Sequence, residues 1–166
     1  MSQTTTSSRR YLSRGARNTL LTIHIALSVG LLGDTAGFLA VAIRAATTSD
    51  AGVMVETVKV LKLFGQGFGI PLSFGALLSG VALGLGSRWG VLRYPWVVTK
   101  LLLIVSVILV GGLVIGPALT AALEGSADAI ARLIAAASYD VIALTVATGL
   151  SVFKPGKPFR SRTTSV

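Results

Sequence analysis

The chain has 166 residues, the size of a single domain. Hydrophobic residues make up 52% of it and charged residues 13%, whereas a soluble domain carries about 25% charge, so the soluble enzyme classes are excluded. There is no cysteine and one histidine, His24, which excludes disulfides, thiolate sites and a multi-histidine metal site within one chain. The net charge is +9, and the basic residues lie beside apolar segments. This placement indicates contact with a membrane surface and no nucleic-acid partner.

Four apolar stretches follow one another along the chain, at residues 18–45, 58–85, 96–119 and 129–153. Each reaches the length of about 20 apolar residues that a helix needs to cross the hydrocarbon core. Lipid cannot hydrogen-bond the backbone, so helices are the form expected for such runs. We therefore predict an all-α fold, a polytopic membrane four-helix bundle of residues 18–153 between basic tails of residues 1–17 and 154–166. The first run is too long for the apolar core of a signal peptide, and we expect it to be retained.

The basic residues predict how the bundle is oriented. Ten of the fifteen precede the first span, separate the second from the third, or follow the fourth, and the other two connections carry acidic residues instead. The positive-inside rule then places both termini in the cytoplasm, as expected for a multi-pass protein of the plasma membrane. The ten basic residues are Arg9, Arg10, Arg14, Arg17, Arg88, Arg93, Lys154, Lys157, Arg160 and Arg162, and the acidic ones are Asp50, Glu56, Glu124 and Asp128.

The second span contains a run that weakens a regular helix, residues 64–71 (FGQGFGIP). Three alternate glycines lower helix stability and Pro71 removes a backbone hydrogen bond, so we expect a kink or a locally opened turn. Two interpretations stay open: close packing of helices through small residues, or a backbone opening that lines a ligand cavity. The run follows no strand, so it does not indicate a dinucleotide-binding loop.

Two carboxyl side chains, Asp34 and Asp140, lie deep inside the first and fourth spans. A charged residue at such depth costs at least about 2.5–3.5 kcal/mol, and such residues usually face the bundle interior or a wet cavity. A protonated carboxyl in an apolar pocket can act as a general acid and an ionised one as a base. Asp34 and Asp140 are therefore the candidate catalytic residues.

Four further residues are candidates to line a substrate pocket beside these carboxyls: Gln66, Tyr139, Thr35 and Phe68. The alternative is a structural role, in which Asp34 and Asp140 are bonded to polar groups of neighbouring helices. The groups available for that are Thr35, Gln66, Ser73 and Lys62, of which Lys62 could pair with Asp34 by reaching inward.

His24 and Lys100 form a second candidate pair, one or two turns from the predicted cytoplasmic face. An intramembrane histidine can be a packed polar residue, a proton carrier or a haem ligand. Lys100 can instead extend its ammonium to the headgroups, as can three cations at the opposite end of the bundle. Those three are Arg44, Lys59 and Arg132.

Three segments resemble a family of small four-helix integral membrane proteins of actinobacteria that is uncharacterised: residues 21–33 (LTIHIALSVGLLG), 89–100 (WGVLRYPWVVTK) and 147–156 (ATGLSVFKPG). A more distant similarity is to membrane protoporphyrinogen oxidases and copper-resistance membrane proteins. That similarity carries over His24, Trp96 and Lys100, and it implies haem or porphyrin binding. The chain departs from the pattern in its fourth helix, where residues 137–140 (ASYD) stand in place of a further histidine, and at Asp34, where a small or apolar residue is usual.

Three functions follow as hypotheses. The first is a membrane-embedded enzyme in which Asp34 and Asp140 catalyse acid/base isomerisation or cyclisation of a lipophilic, isoprenoid-like substrate. The second is a non-catalytic membrane subunit or small transporter component, which forms a homodimer or joins a membrane complex. The third is a haem- or porphyrin-binding protein that uses His24 and Lys100. Only the third requires a cofactor.

Overall fold

The computed structural model describes residues 13–86, 94–126 and 128–153. The predicted tails up to residue 12 and from residue 154, and the loop that carries Arg88, Trp89 and Arg93, lie outside the described residues. The described part is all-α, and four helices in it are long and apolar enough to cross a membrane. They are α1 (Arg14–Ala46), α2 (Ala51–Leu85), α3 (Pro95–Leu123) and α4 (Ala129–Phe153). The predicted all-α fold and its four long apolar helices are confirmed.

The ends of the helices follow from local sequence signals. The side chains of Ser13 and Asp50 cap α1 and α2, and the Asp50 carboxylate accepts from Gly52 N at 2.8 Å and Val53 N at 3.0 Å. At the end of α3, Gly125 adopts φ +82°, a conformation that favours glycine, and Ser126 N donates back to Ala121 O at 2.9 Å. These caps extend α1 and α2 beyond their predicted starts, because capping residues lie outside the apolar runs.

The bundle is organised around α1, which lies against both α2 and α4, while α4 also packs on α3. Two apolar clusters form its core, at different heights along the bundle. The first includes Phe38 of α1 and Ala137 of α4, and the second joins Leu31 of α1 to Ala143 of α4. Large apolar side chains also cover the outer surface: Leu78 is 66% exposed and Leu102 is 64% exposed. Such an apolar exterior is the surface that lipid solvates.

Glycines allow α1 and α2 to approach closely. A Cβ atom at Gly37 would lie 2.9 Å from Phe64 Cε1, and one at Gly75 would lie 3.1 Å from Leu27 Cδ1. Large side chains of each helix therefore occupy the space over glycines of the other, the small-residue packing that membrane helices favour in place of a hydrophobic driving force.

Two stretches of the bundle have wide π-helical turns, Leu63–Gly69 in α2 and Gly111–Ile115 in α3. In each, the backbone N–H just before a proline bonds to the carbonyl five residues earlier, from Ile70 to Gly65 and from Gly116 to Gly111. The proline that follows cannot donate and its ring crowds the preceding turn, so the helix widens there. The opened turn predicted in α2 is confirmed. The turn in α3 has the same cause and was not predicted.

Candidate intramembrane acid/base site

Asp140 lies on the buried face of α4. Its side chain is 4% exposed, and its Oδ1 atom has no hydrogen-bond partner. The face that carries it is otherwise formed by alanine and leucine, with Ala136 and Ala137 before it and Ala143 and Leu144 after it. Buried polar atoms are nearly always paired in proteins, so an unpaired carboxyl oxygen in an apolar layer calls for a specific explanation.

Asp34 is half-buried in the contact between α1 and α2. A Cβ atom at Gly69 would lie 3.3 Å from Asp34 Oδ2, so the carboxyl rests on the glycine that ends the wide turn of α2. The absence of a side chain at this glycine makes room for the carboxyl between the two helices. The Asp34 carboxyl therefore lies against the end of the opened turn of α2.

Both carboxyls belong to the same layer of the bundle. On α1, Asp34 lies between Leu31 and Phe38, and on α4, Asp140 lies between Ala137 and Ala143. Phe38 and Ala137 share one core cluster, and Leu31 and Ala143 share the other, so each aspartate lies between the two clusters. On α4 this layer lies near the middle of the helix, since Asp140 is about as far from Ala129 as from Phe153.

The polar groups expected to hold the carboxyls in a structural role are used elsewhere. Thr35 donates to Leu31 O at 2.8 Å and Ser73 donates to Ile70 O at 2.9 Å, each within its own helix. Among the described residues, the ion pairs are Lys59–Glu56 and Arg132–Asp128, so the predicted pairing of Lys62 with Asp34 is not formed. Lys62 instead lies exposed on α2.

The four predicted pocket residues do not converge on one cavity. Thr35 is buried beside Asp34 in the sequence, while Phe68 is 52% exposed on the outside of α2. Tyr139 is 41% exposed, and its hydroxyl bonds to Ser106 Oγ of α3 at 2.7 Å. Gln66 lines an open surface groove of about 390 Å³ on α2, together with Lys59, Lys62, Leu63 and Gly67. The groove was not predicted, although the spacing of 59, 62 and 66 places these residues on one helix face.

His24 faces α2 and is hydrogen-bonded to it. Its Nδ1 lies 2.9 Å from Ser79 Oγ, and that hydroxyl is also within hydrogen-bond distance of Gly75 O, at 2.7 Å. Which of Nδ1 and Oγ donates depends on the tautomer of the ring. Lys100 lies half-buried on α3, and no hydrogen bond joins it to His24, so the pairing of these two residues stays a prediction.

These features define a class: a membrane-spanning four-helix bundle with an unpaired carboxyl in its interior, a second one at a helix contact, and a histidine nearer one face. Comparisons with protein-family models, curated proteins and solved structures found no match. The resemblance to the actinobacterial family rests on the three quoted segments and stays a prediction.

Proposed function

We propose that this protein is a membrane-embedded acid/base enzyme that acts on a lipophilic substrate through Asp34 and Asp140. The observation that carries the proposal is the unpaired Oδ1 of Asp140 in a side chain that is 4% exposed. An unsatisfied buried polar group costs about 1–3 kcal/mol, and an unpaired charge costs more. A bundle that keeps this group without any bond to it gains no stability from it, which favours a role in chemistry.

The reaction class follows from what two carboxyls can do in an apolar layer. A neutral carboxylic acid donates its proton to one carbon of a carbon–carbon double bond and becomes a carboxylate. The resulting carbocation loses a proton from a neighbouring carbon to a carboxylate, which shifts the double bond. Alternatively, a second double bond attacks the cation first, and a ring forms before the proton leaves. Either sequence leaves the acid ionised and the base protonated, so the acid must regain a proton from water and the base must lose one to water before the next turnover. Neither sequence needs a redox partner.

The two aspartates suit different parts of this reaction. Asp140 is enclosed by alanine and leucine, and burying the neutral acid in such an environment costs less free energy than burying the carboxylate. Asp34 is half-buried at the contact of α1 and α2, so a molecule dissolved in the bilayer reaches it from the side. At this level the backbone of α2 is widened by the π-helical turn that ends at Gly69. We assign Asp140 as the acid and Asp34 as the base.

An isotope experiment tests the function even though the substrate is unidentified. Purified protein is incubated with a total membrane lipid extract in D₂O buffer, and the lipids are analysed by mass spectrometry. A proton-driven isomerase or cyclase transfers solvent-derived deuterium to carbon, so a distinct lipid species gains one mass unit. We expect Asp140→Asn and Asp34→Asn to reduce the labelling by at least about 100-fold, the contribution of one general acid or base.

The matched control is Asp128→Asn, which makes the same chemical change at an exposed carboxyl outside the spans. It should label lipids as the wild type does. Equal labelling by wild type and both intramembrane variants, or no labelling by folded wild type, would contradict the proposed function.

We also propose an orientation of the bundle in the membrane, from the charges at its two ends. Arg14 and Arg17 begin α1 at one end of the bundle, while Asp50, Glu56 and Glu124 lie at the other end. This asymmetry supports cytoplasmic termini in the plasma membrane.

Haem fits the site less well. His24 is the one histidine of the chain, so a haem iron held by two histidines would need a second chain or a different second ligand.

A further inference from the structure

The groove on α2 combines a polar rim with an apolar floor. Lys59, Lys62 and Gln66 supply the rim, and Leu63 and Gly67 supply the floor. Its volume is about 390 Å³, and it is open towards the surroundings of the bundle. Gly67 contributes no side chain, and a Cβ atom there would lie 3.0 Å from Leu63 Cδ1, so the depression exists because this position is glycine.

The groove lies at the boundary between headgroups and hydrocarbon. From Leu63 to Leu85, α2 contains no charged residue, and Lys62 is the last charge before that stretch. The lysine therefore lies at the level of the lipid headgroups, while Gln66 and Gly67 lie about one turn deeper. A molecule in the groove thus has its polar end at Lys62 and its apolar end in the bilayer.

The charges in the groove select an anion. Lys59 is neutralised locally by Glu56, whose carboxylate lies 2.7 Å from the ammonium. Lys62 is exposed and forms no ion pair with any described residue. One free ammonium and one amide at the headgroup level match a phosphate, which accepts charge-assisted hydrogen bonds from both.

We propose that this groove binds an anionic membrane lipid, with the lipid phosphate at Lys62 and Gln66 and the start of its chain over Gly67. The lipid site stands on the groove alone. Its connection to catalysis rests on the proposed function: Gly69, beside Asp34, follows Lys62 by seven residues along α2. The chain of a lipid held by its phosphate at Lys62 would extend past Gly67 towards the level of Asp34. The substrate class is then a lipophile with a phosphate headgroup.

Native mass spectrometry of the full chain in detergent tests the site, with phosphatidylglycerol as the anionic probe and phosphatidylcholine as the zwitterionic one. We expect tighter binding of phosphatidylglycerol. Lys62→Gln should weaken that binding about tenfold, as expected for the loss of one charge-assisted hydrogen bond, whereas Lys62→Arg should retain it. Arg44→Gln is the matched control, because Arg44 is an exposed cation at the same end of the bundle but outside the groove. It should change binding by less than about twofold.

A second variant tests the floor of the groove without changing charge. Gly67→Leu fills the depression against the flexible end of Leu63, and it should weaken phosphatidylglycerol binding while leaving the fold intact. Equal losses in Lys62→Gln and Arg44→Gln, or unchanged binding in both Lys62→Gln and Gly67→Leu, would overturn the proposal. So would displacement of the lipid by millimolar inorganic phosphate, which would identify a site for soluble phosphate.

The lipid site and the proposed enzyme can fail separately. Asp140→Asn lies away from the groove and should bind phosphatidylglycerol like the wild type even where deuterium labelling is lost. Lipid binding by a wild type that gives no deuterium labelling would contradict the proposed enzyme activity and still support the lipid site. If Lys62→Gln leaves the deuterium labelling of every lipid in the extract unchanged, the proposed substrate class is contradicted and the proposed enzyme activity still stands.

Discussion

At the residue scale, the carboxyls of the protein divide into those that are paired and those that are not. The exposed ones follow ordinary rules: Glu56 pairs with Lys59, Asp128 pairs with Arg132, and Asp50 caps a helix. Asp34 and Asp140 have no such partner among the described residues, although an intramembrane carboxyl has more to gain from one. The contrast supports the proposed role of the two unpaired carboxyls in chemistry.

Asp128 offers a pH prediction at this scale. The Ser126 hydroxyl donates to its carboxylate at 2.7 Å, and this bond, aided by Arg132, holds the pKa of Asp128 below its ordinary value. A carboxyl whose pKa is lower in the folded state contributes stability above the unfolded pKa of about 3.9. That contribution is lost as the pH falls through the lowered pKa.

We therefore expect the wild type and Asp128→Asn to converge in stability as the pH falls below about 4. The difference in their unfolding midpoints in detergent, measured from pH 7 to pH 2, checks this. Asp50→Asn, which changes a cap without this ion pair, shows whether the effect is specific to Asp128. A difference that grows on acidification would contradict the assignment.

At the element scale, depth along each helix was predictable, while rotation about the helix axis was not. Hydropathy and charge place Asp34 and Asp140 near the membrane centre because charges delimit each span. Lipid-facing and core-facing sides are both apolar, so the pattern holds little information on which side of a helix meets its neighbours. That is why the bond between Tyr139 and Ser106, and the partner of His24, could be learned only from the structure.

The two wide π-helical turns also show what could and could not be predicted from the sequence. The one in α2 was predicted from its glycines and Pro71. The one in α3 has a comparable signal, Gly111, Gly116 and Pro117, inside the most apolar span of the chain. The two turns lie against each other: a Cβ atom at Gly65 would lie 3.8 Å from Ile115 Cγ2. Such a contact between distant segments is a property of the packed bundle.

The helix contact between α1 and α2 gives a prediction from two glycines one turn apart. A methyl group at Gly37 would meet Phe64 at 2.9 Å, whereas one at Gly33 would meet nothing within 4 Å. Gly37→Ala should lower the free energy of unfolding by about 1–3 kcal/mol through overpacking. Gly33→Ala should leave it unchanged or raise it by up to about 1 kcal/mol, because alanine favours a helix.

Reversible unfolding of both variants by sodium dodecyl sulfate in mixed micelles measures this difference. Phe64 lies near the start of the wide turn of α2. The result would therefore also test whether this side chain holds α1 against that turn. Equal effects of the two alanines would show that the contact between Gly37 and Phe64 does not determine how closely the helices approach.

At the scale of the whole molecule, the bundle is polarised along its axis. At one end of the described chain, α1 begins with Arg14 and Arg17, and His24 and Lys100 lie on that side of the central layer. At the other end are the acidic connections, the cap of α2 and the groove with Lys62. The proposed lipid site and the histidine therefore lie on opposite sides of the layer that holds Asp34 and Asp140.

The orientation of this axis decides which leaflet supplies the lipid, and the lack of cysteine makes it measurable. Gly15→Cys and Ser49→Cys place single thiols at opposite ends of α1, and a Cβ atom at Gly15 meets nothing within 4 Å. In intact cells, a membrane-impermeant maleimide should label Ser49→Cys at once and Gly15→Cys only after the membrane is opened, because the basic residues favour a cytoplasmic start of α1. The reverse pattern would invert the bundle and place the groove in the inner leaflet. Labelling of both thiols in intact cells would mean that the chain inserts in two orientations, so that the groove faces both leaflets.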